Sequence, residues 1–235
     1  MCGRYVSPQE AALERYFNLT RGGGKLLDAH YNAAPTQLLP VYRVHPKHGA
    51  ELVELRWGLI PYWAKDPAIG VKSINARAET LAERPAFQSA FRRRRCLVPM
   101  MGFYEWRKTP AGKVPHYIHL LNSEVFAVAG LHEWWPGKDG AAPIESFTVI
   151  TTEANELVST LHDRMPVIVR EDAHAEWLDP KNERVDELSR LLKPFPADEM
   201  RAYPVSTRVN DVKNDDSGLL DPHDPPARQL TLGDD

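Results

Sequence analysis

The chain has 235 residues, 43% hydrophobic and 26% charged, with a formal net charge of -3. That is enough for one sizeable core or two small ones, in an ordinary soluble composition. It excludes bulk polyanion binding, so any nucleic-acid contact must rest on a local patch. It also excludes a disulfide framework: only Cys2 and Cys96 are present, with no CxxC, which suits a reducing cytosol.

The chain opens Met1-Cys2-Gly3-Arg4-Tyr5. A small second residue permits methionine removal, which would leave Cys2 as the N-terminal residue. Its α-amine and thiol would then share one carbon. The amine condenses with an aldehyde to an imine, and the thiol closes on the imine carbon to give a five-membered thiazolidine. Reference pKa values of roughly 8 and about 8.5 leave both groups reactive near neutrality. The plain alternative is a small residue at a frayed terminus.

Ser7-Pro8-Gln9-Glu10 reads as a capped helix start, with Leu13, Tyr16 and Phe17 as its apolar face and Gly22-Gly23-Gly24 as its end. Residues 31–36 form a polar loop in which Asn32 is either a turn residue or a functional one. Strands are expected over 38–44 and 51–55. The second runs on into an aromatic loop ending at Tyr62 and Trp63. Aromatics there could stack on bases, although Trp57 is read as core. In 73–80, Asn75 suits a sugar hydroxyl or carbonyl and Arg77 suits a phosphate; the alternative is an ordinary helix entry.

A helix is expected over 85–93. It runs into the four arginines Arg92–Arg95, read either as a solvated helix end or as one wall of a backbone-binding groove. Residues 96–100 read as a buried strand in which Cys96 is a small hydrophobe. In 102–106, alternation puts Phe103 and Glu105 on one face and Tyr104 and Trp106 on the other. An apolar setting would raise the Glu105 pKa and suit a general acid; an exposed edge residue is the alternative. Strands follow over 116–121, 125–131 and 146–152. A helix is expected from 153 to 161, capped by Thr151 or Thr152, with His162 at its C-terminus. The helix dipole there would favour imidazolium and a proton-shuttle role.

After a strand at 167–169 come amphipathic helices over 172–178 and 183–192, a short strand at 203–206 and a polar loop at 209–214. Residues 221–235 read as a Pro- and Asp-rich disordered tail. No linker divides 1–220. No signal peptide, membrane-spanning run or metal-ligand spacing is found, so a cytoplasmic protein without metal or cofactor is expected.

These motifs occur together in one family. The sequence resembles the SRAP family, the SOS-response-associated peptidases also called abasic-site processing proteins. The resemblance rests on Met-Cys-Gly-Arg at 1–4, Tyr-Asn-Ala-Ala-Pro at 31–35, Trp-Gly-Leu-Ile-Pro at 57–61 and Ile-Asn-Ala-Arg-Ala-Glu-Thr at 74–80. It continues with Gly-Phe-Tyr-Glu-Trp at 102–106, His-Asp-Arg-Met-Pro at 162–166 and Val-Lys-Asn at 212–214. It implies an α+β single domain with a curved, barrel-like antiparallel sheet flanked by helices. It also implies a monomer that binds single-stranded DNA and crosslinks abasic sites through a thiazolidine, near the nucleoid when DNA-bound. By motif position the resemblance makes Cys2, Asn75, Glu105 and His162 catalytic. It puts Arg4, Asn32, Pro35, Arg77, Trp106 and Arg164 near the DNA. Self-removal of Met1 and lyase chemistry are further implications. Two other classes stay open: an N-terminal-nucleophile amidohydrolase or cysteine peptidase using Cys2 and His162, and a non-catalytic single-strand binding module.

Overall fold

The computed structural model describes residues 2–19, 27–45, 47–138 and 140–223. In chain order these form β1 (Tyr5–Ser7), α1 (Glu10–Phe17), β2 (His30–Ala33), β3 (Leu38–His45), β4 (Gly49–Trp57) and β5 (Asn75–Arg77). Next come α2 (Gln88–Arg93), β6 (Arg95–Met100), β7 (Gly102–Thr109), β8 (Gly112–Leu120), β9 (Phe126–Trp135) and β10 (Ile144–Glu153). The rest are α3 (Glu156–Ser159), β11 (Arg164–Pro166), β12 (Ile168–Val169), α4 (His174–Leu178), α5 (Val185–Arg190) and β13 (Met200–Pro204). No described helix is long and apolar enough to cross a membrane.

The molecule is α+β, with two sheets. One has the order β13-β8-β7-β1-β2, antiparallel throughout. The other has eight strands, and because β9 also pairs with β10, its path β10-β4-β3-β6-β9 returns on itself as a ring. Its pairings are antiparallel as expected, except that β10 runs parallel to β4 and to β5. Each edge of β10 serves two strands in turn. On one edge β4 meets Ser146 and Phe147, then β5 takes over from Val149. On the other, β9 ends at Val149 and β11 begins at Thr151. The sheet therefore forks halfway along β10, and Asn75 lies at that fork.

Period-two alternation separates the cores. Cys96, Val98 and Met100 of β6 enter a cluster with Tyr5, Trp57, Phe103, Val128 and Phe147, while Leu97 faces a second cluster with Phe91, Trp177 and Leu188. The five-stranded sheet alternates likewise: Tyr5, Phe103 and Ile118 face the first cluster, and Val6, Tyr104 and Tyr117 the third. Trp57 is fully buried, as read from sequence, and so is Cys96.

Three expectations change. The helix over 153–161 shrinks to the four residues of α3, because β10 stays paired with β11 as far as Glu153; the cap is Asn155, whose Oδ1 accepts from the Val158 N–H at 2.9 Å. Residues 221–223, expected in the tail, are held in place, since Pro222 bridges to Val205 and the His223 N–H donates to the Pro204 carbonyl at 2.9 Å; residues 224–235, like Gly22-Gly23-Gly24, lie outside the described residues. The third change concerns Arg92–Arg95: Arg92 and Arg93 are exposed, as at a solvated helix end, but Arg94 and Arg95 turn inward. Arg95 is 4% exposed and donates to the carbonyls of Phe91, Arg92, Trp177, Asp179 and Asn182, fastening β6 to the 177–182 segment. Arg94 pairs with buried Glu133 and Arg93 with Glu183.

Candidate functional site

Cys2 lies three residues before Tyr5, the start of β1, and is fully buried. Its carbonyl accepts from Asn75 Nδ2 at 2.8 Å. Asn75 is fixed in turn by its register opposite Val149 and by the preceding residue, whose carbonyl accepts from the Trp57 indole at 2.9 Å. Trp57 also clamps the turn after β2: Thr36 N–H donates to the Trp57 carbonyl, and Trp57 N–H to the Gln37 carbonyl, both at 2.9 Å. One buried tryptophan thus ties the turn carrying Pro35 to the strand carrying Asn75. Thr36 has a φ of 76°, a left-handed conformation costly for a β-branched residue. Between Trp57 and Asn75 the loop folds back on itself. A side chain on Gly58 would lie 2.6 Å from the Gly70 carbonyl oxygen, and one on Gly70 the same distance from that of Gly58. Only glycines allow this approach.

Glu105 comes from β7. Tyr5 pairs with Phe103 and Val6 with Gly102, so the antiparallel ladder continued two residues sets Glu105 opposite Gly3, beside Cys2. The glutamate is 3% exposed, and burial pushes its carboxyl up to about 7. Burial also pushes the Cys2 thiol well up, and the charge of Glu105 pushes it further. His162 follows α3, and burial lowers its pKa. This reverses the expectation of a dipole-stabilised imidazolium, for which a four-residue helix is too short. Its Nδ1 lies 3.0 Å from the Arg164 N–H and 2.8 Å from Asp163 Oδ1. A neutral ring satisfies the first by accepting at Nδ1. The charge of Glu105 acts on Cys2, and that of Asp163 acts on both Glu105 and His162, as expected for groups that share one locality.

The six residues expected near DNA divide into two groups. Arg4, Asn32 and Trp106 hold the 209–215 segment. Arg4 Nη1 donates to Asn32 Oδ1 at 2.6 Å and to the Val209 carbonyl at 2.7 Å. Asn32 Nδ2 reaches the carbonyls of Val209, Asp211 and Asn214, and its backbone N–H meets Asp215. The Trp106 indole donates to Asn210 Oδ1 at 2.8 Å. This arrangement was not legible in the chain, because hydrogen bonds to main-chain carbonyls leave no residue pattern. In the second group, Arg164 grips Glu79 through both guanidinium nitrogens, at 2.7 and 2.8 Å, and also donates to the Thr151 carbonyl. Arg77 is exposed at the end of β5, opposite Thr151, and Pro35 is half-buried. Tyr62 and Trp63, from the loop between β4 and β5, are 55% and 49% exposed, and Trp63 borders a cavity of about 500 Å3 with Lys65 and Lys72.

The arrangement places a thiol, an amide, a carboxyl with a pKa near neutrality and an imidazole around the start of the chain. The model of the SOS response associated peptidase (SRAP) family matches residues 1–212. The chain is 47% identical over 194 residues to Abasic site processing protein YoqW of Bacillus subtilis, covering 82% of this chain and 86% of that one. It is 32% identical over 222 residues to Abasic site processing protein HMCES of Gallus gallus, covering 82% and 66%. A crystal structure of a protein from Bacteroides thetaiotaomicron aligns with a TM-score of 0.86 at 27% identity, covering 95% of this chain and all of the other.

Proposed function

The chain belongs to the SOS response associated peptidase family, and on that premise we propose that it processes abasic sites in single-stranded DNA by a covalent link through Cys2. Removal of Met1 frees the Cys2 amine. The amine attacks the ring-opened aldehyde, and the resulting carbinolamine loses water to give an imine. The thiol then adds: the C–S bond forms, the C=N π pair moves to nitrogen, and nitrogen takes up the proton that sulfur releases. The product is a thiazolidine, with one water lost overall. Closure is fast because the thiol is already tethered to the imine nitrogen.

Each side chain has a role in this sequence. Glu105, poised near 7, is present in both protonation states at neutral pH, so it can donate to the leaving hydroxyl and accept from the amine. Asn75 fixes the Cys2 main chain. His162, neutral and partly exposed, handles the proton transfers of reversal and of any lyase step. Exposed Arg77 and Trp63 receive phosphate and base, while Arg4, Asn32 and Trp106 shape the wall beside them. The 1–220 region works as one domain, and self-removal of Met1 would account for the peptidase label.

One observation carries the reading: Cys2, the residue able to offer amine and thiol together, is held by Asn75 beside a buried carboxyl with a pKa near neutrality. The test is denaturing gel electrophoresis after mixing the protein with a single-stranded oligonucleotide bearing one abasic site. The wild type should shift the labelled strand, Cys2→Ala should not, and Glu105→Gln should slow the shift by about 100-fold with DNA affinity retained. A Cys2→Ala variant that shifts the strand as well as wild type would overturn the reading. Turnover of amide substrates without any shift would point instead to an N-terminal-nucleophile hydrolase.

A further inference from the structure

The buried hydroxyl of Tyr5 has no assignment in the mechanism above. Tyr5 is fully buried, with its backbone held on both sides, opposite Ala33 of β2 and Phe103 of β7. Its ring packs edge-on to Trp57 at 5.1 Å, and through Trp57 it abuts the strand that carries Asn75. Ring and backbone are thus fully used, yet among the described residues the Tyr5 hydroxyl has no hydrogen-bond partner. A phenol buried in this way normally finds an acceptor. The hydrophobic role of the site needs only a phenylalanine.

The thiol of Cys2 belongs to the same cluster. Its Sγ reaches forward along the chain and lies 4.0 Å from the Arg4 carbonyl oxygen, which belongs to the peptide joining Arg4 to Tyr5. The phenol also feels the charges of both Cys2 and Cys96. Cys2 and its closest ionisable neighbours therefore present a problem. Burial and the Glu105 charge both oppose a thiolate there, whereas thiazolidine closure requires the sulfur to shed its proton as the C–S bond forms. A charge on buried sulfur needs a donor. Burial holds the Tyr5 phenol protonated, so it remains a donor throughout the neutral and alkaline range.

We propose that Tyr5 is a positioning residue for the Cys2 sulfur: its hydroxyl, unpartnered in the resting state, donates to the thiolate that develops as the thiazolidine closes. The inference rests on the crosslinking reading and adds to it a group on the sulfur side of the reaction, where Glu105 serves the nitrogen and the leaving hydroxyl. No net proton is gained or lost through Tyr5; it keeps its own proton and orients it.

The test is Tyr5→Phe, which keeps the ring and its contact with Trp57. Crosslinking to a single-stranded abasic-site oligonucleotide would be followed from pH 6 to 10 for wild type and variant. Melting temperature and affinity for the same strand without the lesion would be measured alongside. The variant should melt at the same temperature or higher, because a buried hydroxyl without a partner is removed. Its DNA affinity should be unchanged, its crosslinking rate about tenfold lower, and the rising limb of its pH profile about one unit more alkaline, the pair of changes that loss of a thiolate donor produces. A merely structural hydroxyl would leave the limb in place. An unchanged rate and limb would overturn the role of Tyr5 while the wild-type crosslink still stood. A wild type that forms no crosslink would overturn the reading beneath it.

Discussion

Glu105 is a carboxyl whose folded-state pKa lies above its reference value of 4.5, near 7. Between those values the folded chain binds more protons than the unfolded one, so stability falls as pH rises through the window and is lowest above it. Replacing Glu105 by Gln removes the ionised form. Glu105→Gln should therefore be more stable than wild type at pH 8, by up to about 3 kcal/mol, with the advantage shrinking toward pH 5. Chemical denaturation at several pH values measures this, and an equal difference at every pH would show that Glu105 is not held near neutrality. Much of this residue was legible in the chain, since alternation through 102–106 put Phe103 and Glu105 together and the structure buries both. The behaviour of His162 was not, because its environment depends on where a helix of four residues stops. Arg95 was equally hidden: a run of arginines reads as solvated until the carbonyls that receive it are in place.

At the scale of elements, the site depends on a loop and a fork. The 209–215 segment, which the sequence marks only as polar, is held by the side chains of Arg4, Asn32 and Trp106. Asn32 is 1% exposed and is the hub of that set. Asn32→Ala would take the Asn32 donor from the Asp211 and Asn214 carbonyls and one acceptor from Arg4, at a cost of about 2–3 kcal/mol. Hydrogen exchange should then show faster exchange in 209–215 with α1 and β6 unchanged; uniform acceleration would mean that the segment is not an independent unit. The fork in β10 shows why strand prediction stopped short. Residues 146–152 read as a strand by composition, but their four partner strands are long-range pairings that no local pattern encodes. The glycines that let the 58–74 loop close were visible in the chain, but their mutual contact was not.

Over the whole molecule, a ring of strands sets the start of the chain against a rigid wall. Arg43 of β3 ties the ring together, donating to Glu51 of β4 at 2.7 Å and to Glu145 of β10 at 2.6 Å, with His132 of β9 at 3.4 Å. Burial, followed by the charges of Arg43 and Arg94, lowers His132 to about 3, so it stays neutral there. The two carboxylates are 25% and 42% exposed, so water recovers part of what Arg43→Ala removes, and a loss of about 2 kcal/mol in thermal or denaturant unfolding is expected. An unchanged midpoint would mean that the strands close the ring without it. The sheet's curvature and α+β class followed from the family motifs, whereas ring closure through β9 and β10 became visible only in three dimensions. What the ring, the fork and the 209–215 loop together present is Cys2, and the most direct measurement is the intact mass of the protein before and after mixing with single-stranded DNA carrying one abasic site. The account predicts a protein lacking Met1 that gains the mass of the oligonucleotide less one water, with the added mass mapping to Cys2. A protein that lacks Met1 and gains no mass, or one whose adduct maps to another residue, would contradict it.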